Sequence, residues 1–153
     1  MNGATIEIQF FKRENLDEWG NSQIIFLAET NPGEGFGRLK NIASGGELSR
    51  ILLSFRQVMA VKDSISIFLF DEIDAGIGGE TALRIGKALL EVGENSQVIT
   101  ITHLPQIAHF AHKLIVVKKE HSMENNQPRT RSHITEVSGK YKKQEIQQMV
   151  PLQ

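Results

Sequence analysis

Cysteine is absent from this chain of 153 residues. Its absence excludes disulfide bonds, thiolate zinc sites and cysteine nucleophiles, and it fits a reducing compartment. An excess of charge of one sign is lacking as well, because 17 basic side chains stand against 18 acidic ones and the formal net charge is -1. No global field therefore draws the chain to nucleic acid or to an acidic membrane, and any contact with DNA has to be local.

Long apolar runs are missing too, and no stretch is long enough to span a bilayer. The first residues, Met-Asn-Gly-Ala, show neither the basic nor the apolar part of a secretion signal. We therefore expect no membrane partner and a cytoplasmic location. What the chain does have is the composition of a globular protein, with 40% hydrophobic and 23% charged residues. Its length predicts a single domain over residues 1–153.

A short apolar run that ends in two carboxylates is the most informative stretch. Residues 65–70 (Ile-Ser-Ile-Phe-Leu-Phe) predict a central strand of a parallel sheet, buried on both faces. Asp71 and Glu72 follow at its carboxyl end, the edge where open α/β sheets bind ligands. Two acids there suit a magnesium-nucleotide site, in which the first holds the metal and the second orients or deprotonates water. The plain alternative is that Asp71 caps the next turn and Glu72 is solvated.

A second motif begins a predicted helix. Apolar residues recur at helical spacing from about Gly46 to Val61. Ser44 and Glu47 form a Ser-x-x-Glu capping box, which satisfies free amides of the first turn. The glycines between them, at 45 and 46, would also let a phosphate approach the positive end of the helix dipole. A cap does not need both glycines, and both interpretations stay open.

The remaining pattern predicts an α/β fold. The strands near residues 67, 99 and 115 are separated by helices, which predicts a parallel sheet with right-handed crossovers. The other predicted elements are antiparallel strands at 5–11 and 24–28, a loop at 31–35, helices at 80–92 and after Pro105, a polar loop at about 120–128, an edge strand at 130–137 and a terminal helix at 141–149.

His103 ends the strand at 97–101, at the same predicted edge as the acid pair. It could donate a hydrogen bond to a phosphate oxygen or to the attacking water, or it could be structural. With His109 and His112 it lacks the thiols or carboxylates of a transition-metal site, which disfavours one. A Gly-x-x-x-x-Gly-Lys-Ser/Thr phosphate loop is absent, so the chain carries only half of a nucleotide-binding machinery.

Four motifs in order resemble those of ABC-type ATPases. Residues 43–50 (Ala-Ser-Gly-Gly-Glu-Leu-Ser-Arg) resemble the signature motif, and residues 67–72 resemble the Walker B strand. Residues 75–79 occupy the D-loop position, and Thr-His at 102–103 occupies the switch-histidine position. Order and spacing match throughout residues 42–117.

More narrowly, residues 42–50, 71–79 and 101–108 together resemble the RecN family of bacterial DNA double-strand-break repair proteins, which are related to SMC proteins. Gly78 stands where most ABC members have an aspartate, and RecN-like sequences share that glycine. The resemblance implies the carboxyl-terminal lobe of a P-loop NTPase-like ABC ATPase head, with a parallel sheet core and flanking helices. The Walker A half would lie in an amino-terminal lobe, across a coiled coil.

The resemblance also implies a site and its ligands, ATP and Mg2+. Asp71 would hold the magnesium, Glu72 would act on water, and His103 would sense the γ-phosphate. The implied partners are the amino-terminal Walker A lobe, a second head in a homodimer, and DNA at the nucleoid. Seven more residues would bind nucleotide, the first three from the other head: Ser44, Gly45, Gly46, Glu47, Asp74, Gly76 and Gly78.

The implied reaction is hydrolysis of ATP to ADP and phosphate, coupled to head engagement on DNA during repair and recombination. The alternative is a non-catalytic DNA- or protein-interaction module on an ABC-like scaffold. A basic carboxyl third would serve such a module, although an ordinary solvated face is the plain interpretation. Its members are Lys118, Lys119, Arg129, Arg131, Lys140, Lys142 and Lys143.

Overall fold

The computed structural model describes residues 4–29, 33, 35–59, 65–124 and 127–150. The chain divides into two compact units, Met1–Leu48 and Ser49–Gln153, and each is described by itself. The single-domain assignment stays a prediction. None of the helices within the described ranges is long and apolar enough to cross a membrane.

The first unit is built on an antiparallel hairpin. Ile8 pairs with Phe26, and Phe10 pairs with Ile24, so apolar residues share one face. This confirms the predicted strand pair, although both strands are longer than predicted. Of the predicted loop at 31–35, residues 31, 32 and 34 lie outside the described residues. The elements are β1 (Thr5–Asp17), β2 (Gly20–Glu29), β3 (Gly37–Arg38), which pairs with β2, and α1 (Leu39–Ile42).

The second unit holds the predicted alternation of strands and helices. Helix α2 (Gly45–Met59) crosses the boundary between the units, and the end predicted at Val61 lies outside the described residues. The elements that follow are β4 (Ile67–Phe70), α3 (Gly79–Gly93), β5 (Gln97–Thr100), α4 (Pro105–Ala108), β6 (Leu114–Glu124), β7 (Gln127–Val137) and α5 (Gly139–Gln148).

Strands β4 and β5 pair in parallel, with Phe68 opposite Val98 and Phe70 opposite Thr100. This parallel pair confirms the predicted α/β core. Because side chains alternate along a strand, both phenylalanines of β4 point into one hydrophobic core. Its buried members are Leu53, Phe68, Phe70, Ile73, Ala82, Ile85, Leu89, Val92 and Ile107.

The opposite face of this parallel pair is open. Ile67 is 59% exposed and Leu69 is 64% exposed, and Ile99 and Ile101 beside them are exposed as well. The prediction that β4 is buried on both faces is therefore wrong for this chain. The core that covers its phenylalanines lies on one side only, so every second side chain of the strand meets solvent.

The predicted third parallel strand is also wrong. Strand β6 pairs antiparallel with β7, with Leu114 opposite Val137 and Glu124 opposite Gln127, in a separate two-stranded sheet. Cross-strand hydrogen bonds continue through the polar residues, because a ladder is formed by the backbone whatever the side chains are. The segment predicted as a polar loop at 120–128 is therefore strand wherever it is described, and residues 125 and 126 lie outside the described residues.

Gly86 on α3 gives the fold a first testable feature, because the helix packs closely at this position. A Cβ at residue 86 would overlap the ring of Phe110 and would lie 3.2 Å from the carbonyl oxygen of Gln106. Gly86→Ala should therefore lower the free energy of unfolding, and Gly93→Ala is the matched control because nothing lies within 4 Å of a Cβ there. Overpacking typically costs about 1–3 kcal/mol, which we expect as the difference between the two variants in urea unfolding. Equal stability would contradict close packing at Gly86.

Candidate functional site

The two acids and the histidine lie at one edge of the parallel pair. Asp71 and Glu72 directly follow β4, and His103 follows β5 by three residues. The amide of Ile101 donates to the carbonyl of Phe70 at 3.2 Å. This bond extends the pairing of β4 and β5 to their carboxyl ends. The strand pattern predicts this shared edge, and the parallel register produces it.

Glu72 has an unusual backbone conformation. Its φ is 54°, the left-handed region, and it is the non-glycine residue with positive φ among the described residues. Such a conformation costs about 1–3 kcal/mol and persists only where neighbouring contacts enforce it. Two contacts do so locally, since the amide of Glu72 donates to Oδ1 of Asp71 at 2.9 Å and its carbonyl accepts from the amide of Ala75 at 2.9 Å. The side chains of both acids are exposed at this turn.

Helix α2 holds the same loop through two polar side chains. The hydroxyl of Ser49 donates to the carbonyl of Asp71 at 2.8 Å. Nη1 of Arg50 donates to the carbonyls of Ile73 at 3.2 Å and Ala75 at 3.0 Å. Sequence reasoning assigned no such role to Ser49 or Arg50. The sequence does show Ser49 and Arg50 as two polar residues directly before apolar positions of an amphipathic helix, and this pattern could have indicated side chains that bind a neighbouring loop.

Asp74 is a buried carboxylate in this loop, and its Oδ2 receives three donors. They are the hydroxyl of Thr102 at 2.6 Å, the amide of His103 at 2.9 Å and Nδ1 of His103 at 3.1 Å. Burial by itself raises the pKa of Asp74, but these hydrogen bonds and the charge of the His103 ring outweigh it and hold the pKa below its usual value. The loop after β4 and the loop after β5 are thereby joined.

The predicted capping box forms at the start of α2. Oγ of Ser44 accepts from the amide of Glu47 at 3.3 Å, and Oε2 of Glu47 accepts from the amide of Ser44 at 2.9 Å. Ser44 and Gly45 are exposed, whereas Gly46 is buried. The cap interpretation is therefore confirmed, and a contact of this helix end with a phosphate stays a prediction.

The glycine loop at 75–79 is exposed at the two positions predicted to approach nucleotide. Gly76 has a φ of 69°, which favours glycine over any residue with a side chain. Gly78 is extended, with φ of -168°, and nothing lies within 4 Å of a Cβ there. The described structure therefore makes no demand for glycine at 78, and its contact with nucleotide stays a prediction.

Comparison with known proteins shows which family the chain resembles. No family model matches the chain. The DNA repair protein RecN of Treponema pallidum (strain Nichols) is 39% identical over 138 residues, which cover 90% of this chain and 23% of that protein. The DNA repair protein RecN of Vibrio cholerae is 43% identical over 101 residues, which cover 66% of this chain and 18% of that protein. The chain belongs to the RecN family. It spans about a fifth of the length of these curated relatives.

Solved structures place the RecN-type chain among SMC heads by fold. The Smc head domain of Pyrococcus yayanosii, solved with a coiled coil and joint, has a TM-score of 0.64 at 24% identity and covers 96% of this chain and 26% of that one. An SMC ATPase solved in work on ATP-driven dimerization and DNA-stimulated activation has a TM-score of 0.54 at 22% identity, covering 96% of this chain and 81% of that one. The fold is that of the carboxyl-terminal lobe of an ABC-type ATPase head.

The RecN-type site offers one exposed carboxylate, that of Asp71, as a ligand for a magnesium ion. No cluster of three or more His, Asp or Glu side chains that could enclose a metal occurs in the part of the chain that the structure describes. Asp71 is nevertheless an exposed carboxylate at the sheet edge, and only its Oδ1 bonds the amide of Glu72. Magnesium binds through one or two carboxylates and keeps water and phosphate as its other ligands. A single exposed carboxylate such as that of Asp71 is therefore a suitable protein ligand for magnesium.

Two lysines of the basic carboxyl third contact other groups of the RecN-type chain. Nζ of Lys118 lies 2.7 Å from Oε1 of Glu145. Nζ of Lys142 donates to the carbonyls of His109 and Ala111, where the α4 helix ends. A contact of the basic carboxyl third with DNA stays a prediction.

Proposed function

We propose that this chain is the carboxyl-terminal lobe of an ATPase head in a RecN-type DNA repair protein, and that the complete protein hydrolyses ATP to ADP and phosphate. The observation that carries the proposal is the convergence of Asp71, Glu72 and His103 at one sheet edge, with Glu72 held in a left-handed conformation. Ligands bind at this edge in open α/β sheets. The SMC ATPase of similar fold is a protein of ATP-driven dimerization, which supports the same kind of cycle here.

Each of the three residues has a separate task in the proposed site. Glu72 orients the attacking water and accepts its proton, because a carboxylate can accept both a hydrogen bond and a proton from water. Asp71 holds the magnesium, which when bound would neutralise charge on the phosphates. His103 contacts the water or the γ-phosphate from the neighbouring loop.

The open face of the parallel pair supports the proposed Walker A lobe as a partner. Ile67, Leu69, Ile99 and Ile101 form a contiguous exposed apolar face. Monomeric proteins seldom leave such a face uncovered. We propose that the amino-terminal lobe packs on it and supplies the phosphate loop that this chain lacks.

The start of α2 is proposed to serve a second head. Ser44, Gly45 and Gly46, next to the Glu47 of the capping box, would face the γ-phosphate bound by the partner, because a helix amino end attracts anions. Gly76 and Gly78 of the glycine loop would also contact nucleotide. The two heads would engage on DNA, in the cytoplasm at the nucleoid, and separate after hydrolysis.

The isolated chain is expected to bind ATP poorly and to hydrolyse none. Asp71, Glu72 and the signature residues cannot enclose the β- and γ-phosphates without a phosphate loop. Isothermal titration calorimetry with magnesium and ATP checks the binding, and phosphate release checks turnover. Adding the amino-terminal lobe should restore activity, and Glu72→Gln in this chain is the control that should not be rescued. Micromolar or tighter ATP binding by the chain alone would contradict the prediction.

A further inference from the structure

We propose that Asp74 is a positioning residue that fixes the proton of neutral His103 on Nδ1 and leaves Nε2 as an outward hydrogen-bond acceptor. The meaning of this arrangement for ATP turnover rests on the proposed function, whereas the position of the proton does not. The resemblance to ABC-type ATPases implies that Asp74 contacts nucleotide. Its carboxylate is instead turned into the protein, so its influence on the site passes through His103.

The donors around Asp74 determine where the proton lies. The side chain of Asp74 is 6% exposed, and its Oδ2 lies 3.1 Å from Nδ1 of His103. An ionised carboxylate only accepts hydrogen bonds, so the ring nitrogen facing it carries a hydrogen. The tautomer of a histidine is set by the hydrogen bond that one of its nitrogens makes. The lowered pKa of Asp74 is consistent with a carboxylate that stays ionised.

Thr102 and the His103 backbone supply two further donors to the same carboxylate oxygen of Asp74. Its hydroxyl donates to Oδ2 of Asp74 at 2.6 Å and accepts from the amide of Leu104 at 3.0 Å. The hydroxyl is therefore a donor to Asp74 that is separate from the His103 ring. The His103 amide donates to the same Oδ2 at 2.9 Å, which fixes the backbone from which the ring projects. The His103 side chain itself is 76% exposed, so the ring beyond Nδ1 is open to a ligand.

The chemical consequence concerns what His103 does in the site. A neutral ring protonated at Nδ1 has a lone pair at Nε2 and no hydrogen there. It accepts a hydrogen bond from an O–H of the attacking water, and it does not donate to a phosphate oxygen. The neutral His103 is therefore a water-orienting group at the same sheet edge as Glu72. The sequence left donation to phosphate and donation to water open, and the Asp74 contact removes both for the neutral ring.

Nitrogen NMR of the chain labelled with 15N-histidine tests the proton position directly. At a pH where the ring is neutral, long-range proton–nitrogen correlation spectra should show His103 protonated at Nδ1 and unprotonated at Nε2. Asp74→Ala should shift the ring to the tautomer protonated at Nε2, which histidine favours in water. Asp74→Asn keeps an acceptor oxygen and should largely restore the native tautomer. A wild-type ring protonated mainly at Nε2 would overturn the proposal, even if the alanine variant fails to fold.

Thr102→Val is the matched control, because it disturbs the same loop but leaves the Asp74–His103 contact. Its His103 should keep the native tautomer. If Thr102→Val changes the tautomer as much as Asp74→Ala does, general loosening of the loop explains the result and the positioning role is wrong. In the complete protein, Asp74→Ala should lower ATP turnover by about tenfold, the scale on which residues behind a functional histidine act. Asp74→Asn should recover most of that loss, and equal turnover by Asp74→Ala and the wild type would count against the role.

The two proposals can fail separately. If the complete protein does not hydrolyse ATP, the proposed function is wrong, while the tautomer of His103 still stands on its own measurement. If the tautomer is wrong and Glu72→Gln abolishes turnover, the ATPase assignment holds and Asp74 has no positioning role.

Discussion

Glu72→Gln in the complete protein is expected to reduce ATP turnover by about a hundredfold or more while ATP still binds. Glutamine has nearly the shape of glutamate, but it cannot accept the proton of the attacking water. The substitution also leaves the backbone contacts of residue 72 with Asp71 and Ala75 in place. Because the Glu72 side chain is exposed, the melting temperature should hardly change. The loss should therefore appear in kcat, measured by steady-state phosphate release, and not in nucleotide affinity.

Glu94→Gln provides the matched control for this experiment. It makes the same chemical change at another exposed glutamate of the same unit, at the end of α3. This position precedes β5, at the opposite end of the strand from His103. Turnover by Glu94→Gln should equal that of the wild type. Turnover by Glu72→Gln at the wild-type rate would show that Glu72 is not the catalytic carboxylate.

Ser44→Arg in the complete protein is expected to block ATP-driven dimerization of heads while a single head still binds ATP. The exposed Ser44 and Gly45 leave the start of α2 bare, and an arginine there would fill the space where the nucleotide of the partner must dock. The change also breaks the capping box with Glu47, which costs about 1 kcal/mol and leaves the fold intact. Light scattering with and without ATP measures dimerization, and a melting curve measures the loss of the cap.

Ser44→Ala separates the two effects. It removes the same cap without adding bulk, so the alanine and arginine variants should melt at similar temperatures, below that of the wild type. Only the arginine variant should lose dimerization completely. If Ser44→Arg dimerizes normally and simply melts earlier, Ser44 is a helix cap and its assignment to a partner's nucleotide is wrong.

Local rules explain why much of the site could be predicted from the sequence. The capping box at Ser44 and Glu47 depends on four successive residues, and it forms as the spacing predicts. The apolar strand before Asp71 and the β-branched strand before His103 have lengths and flanks that indicate parallel pairing. Their carboxyl ends therefore had to share an edge, and they do.

Other features depend on groups that are distant in the sequence, and no local pattern reports them. Oγ of Ser49 reaches the carbonyl of Asp71 across 22 positions, and Arg50 reaches Ala75 across 25. The left-handed conformation of Glu72 was not predicted either, since propensity alone would place glycine at positive φ. Periodicity also failed at β6, because a strand of apolar residues can pair with a parallel neighbour or fold back on β7.

The sequence by itself determined the order of strands and helices from α2 to α4, the cap of α2 and the sheet edge to which Asp71, Glu72 and His103 belong, because periodicity, capping and strand order act over short distances. Only the tertiary structure decided which face of β4 is covered and which side chains hold the loop at 71–75. It also decided that Asp74 turns inward to Thr102 and His103. The physical reason is that a buried carboxylate must collect its hydrogen-bond donors from whatever the fold brings near it.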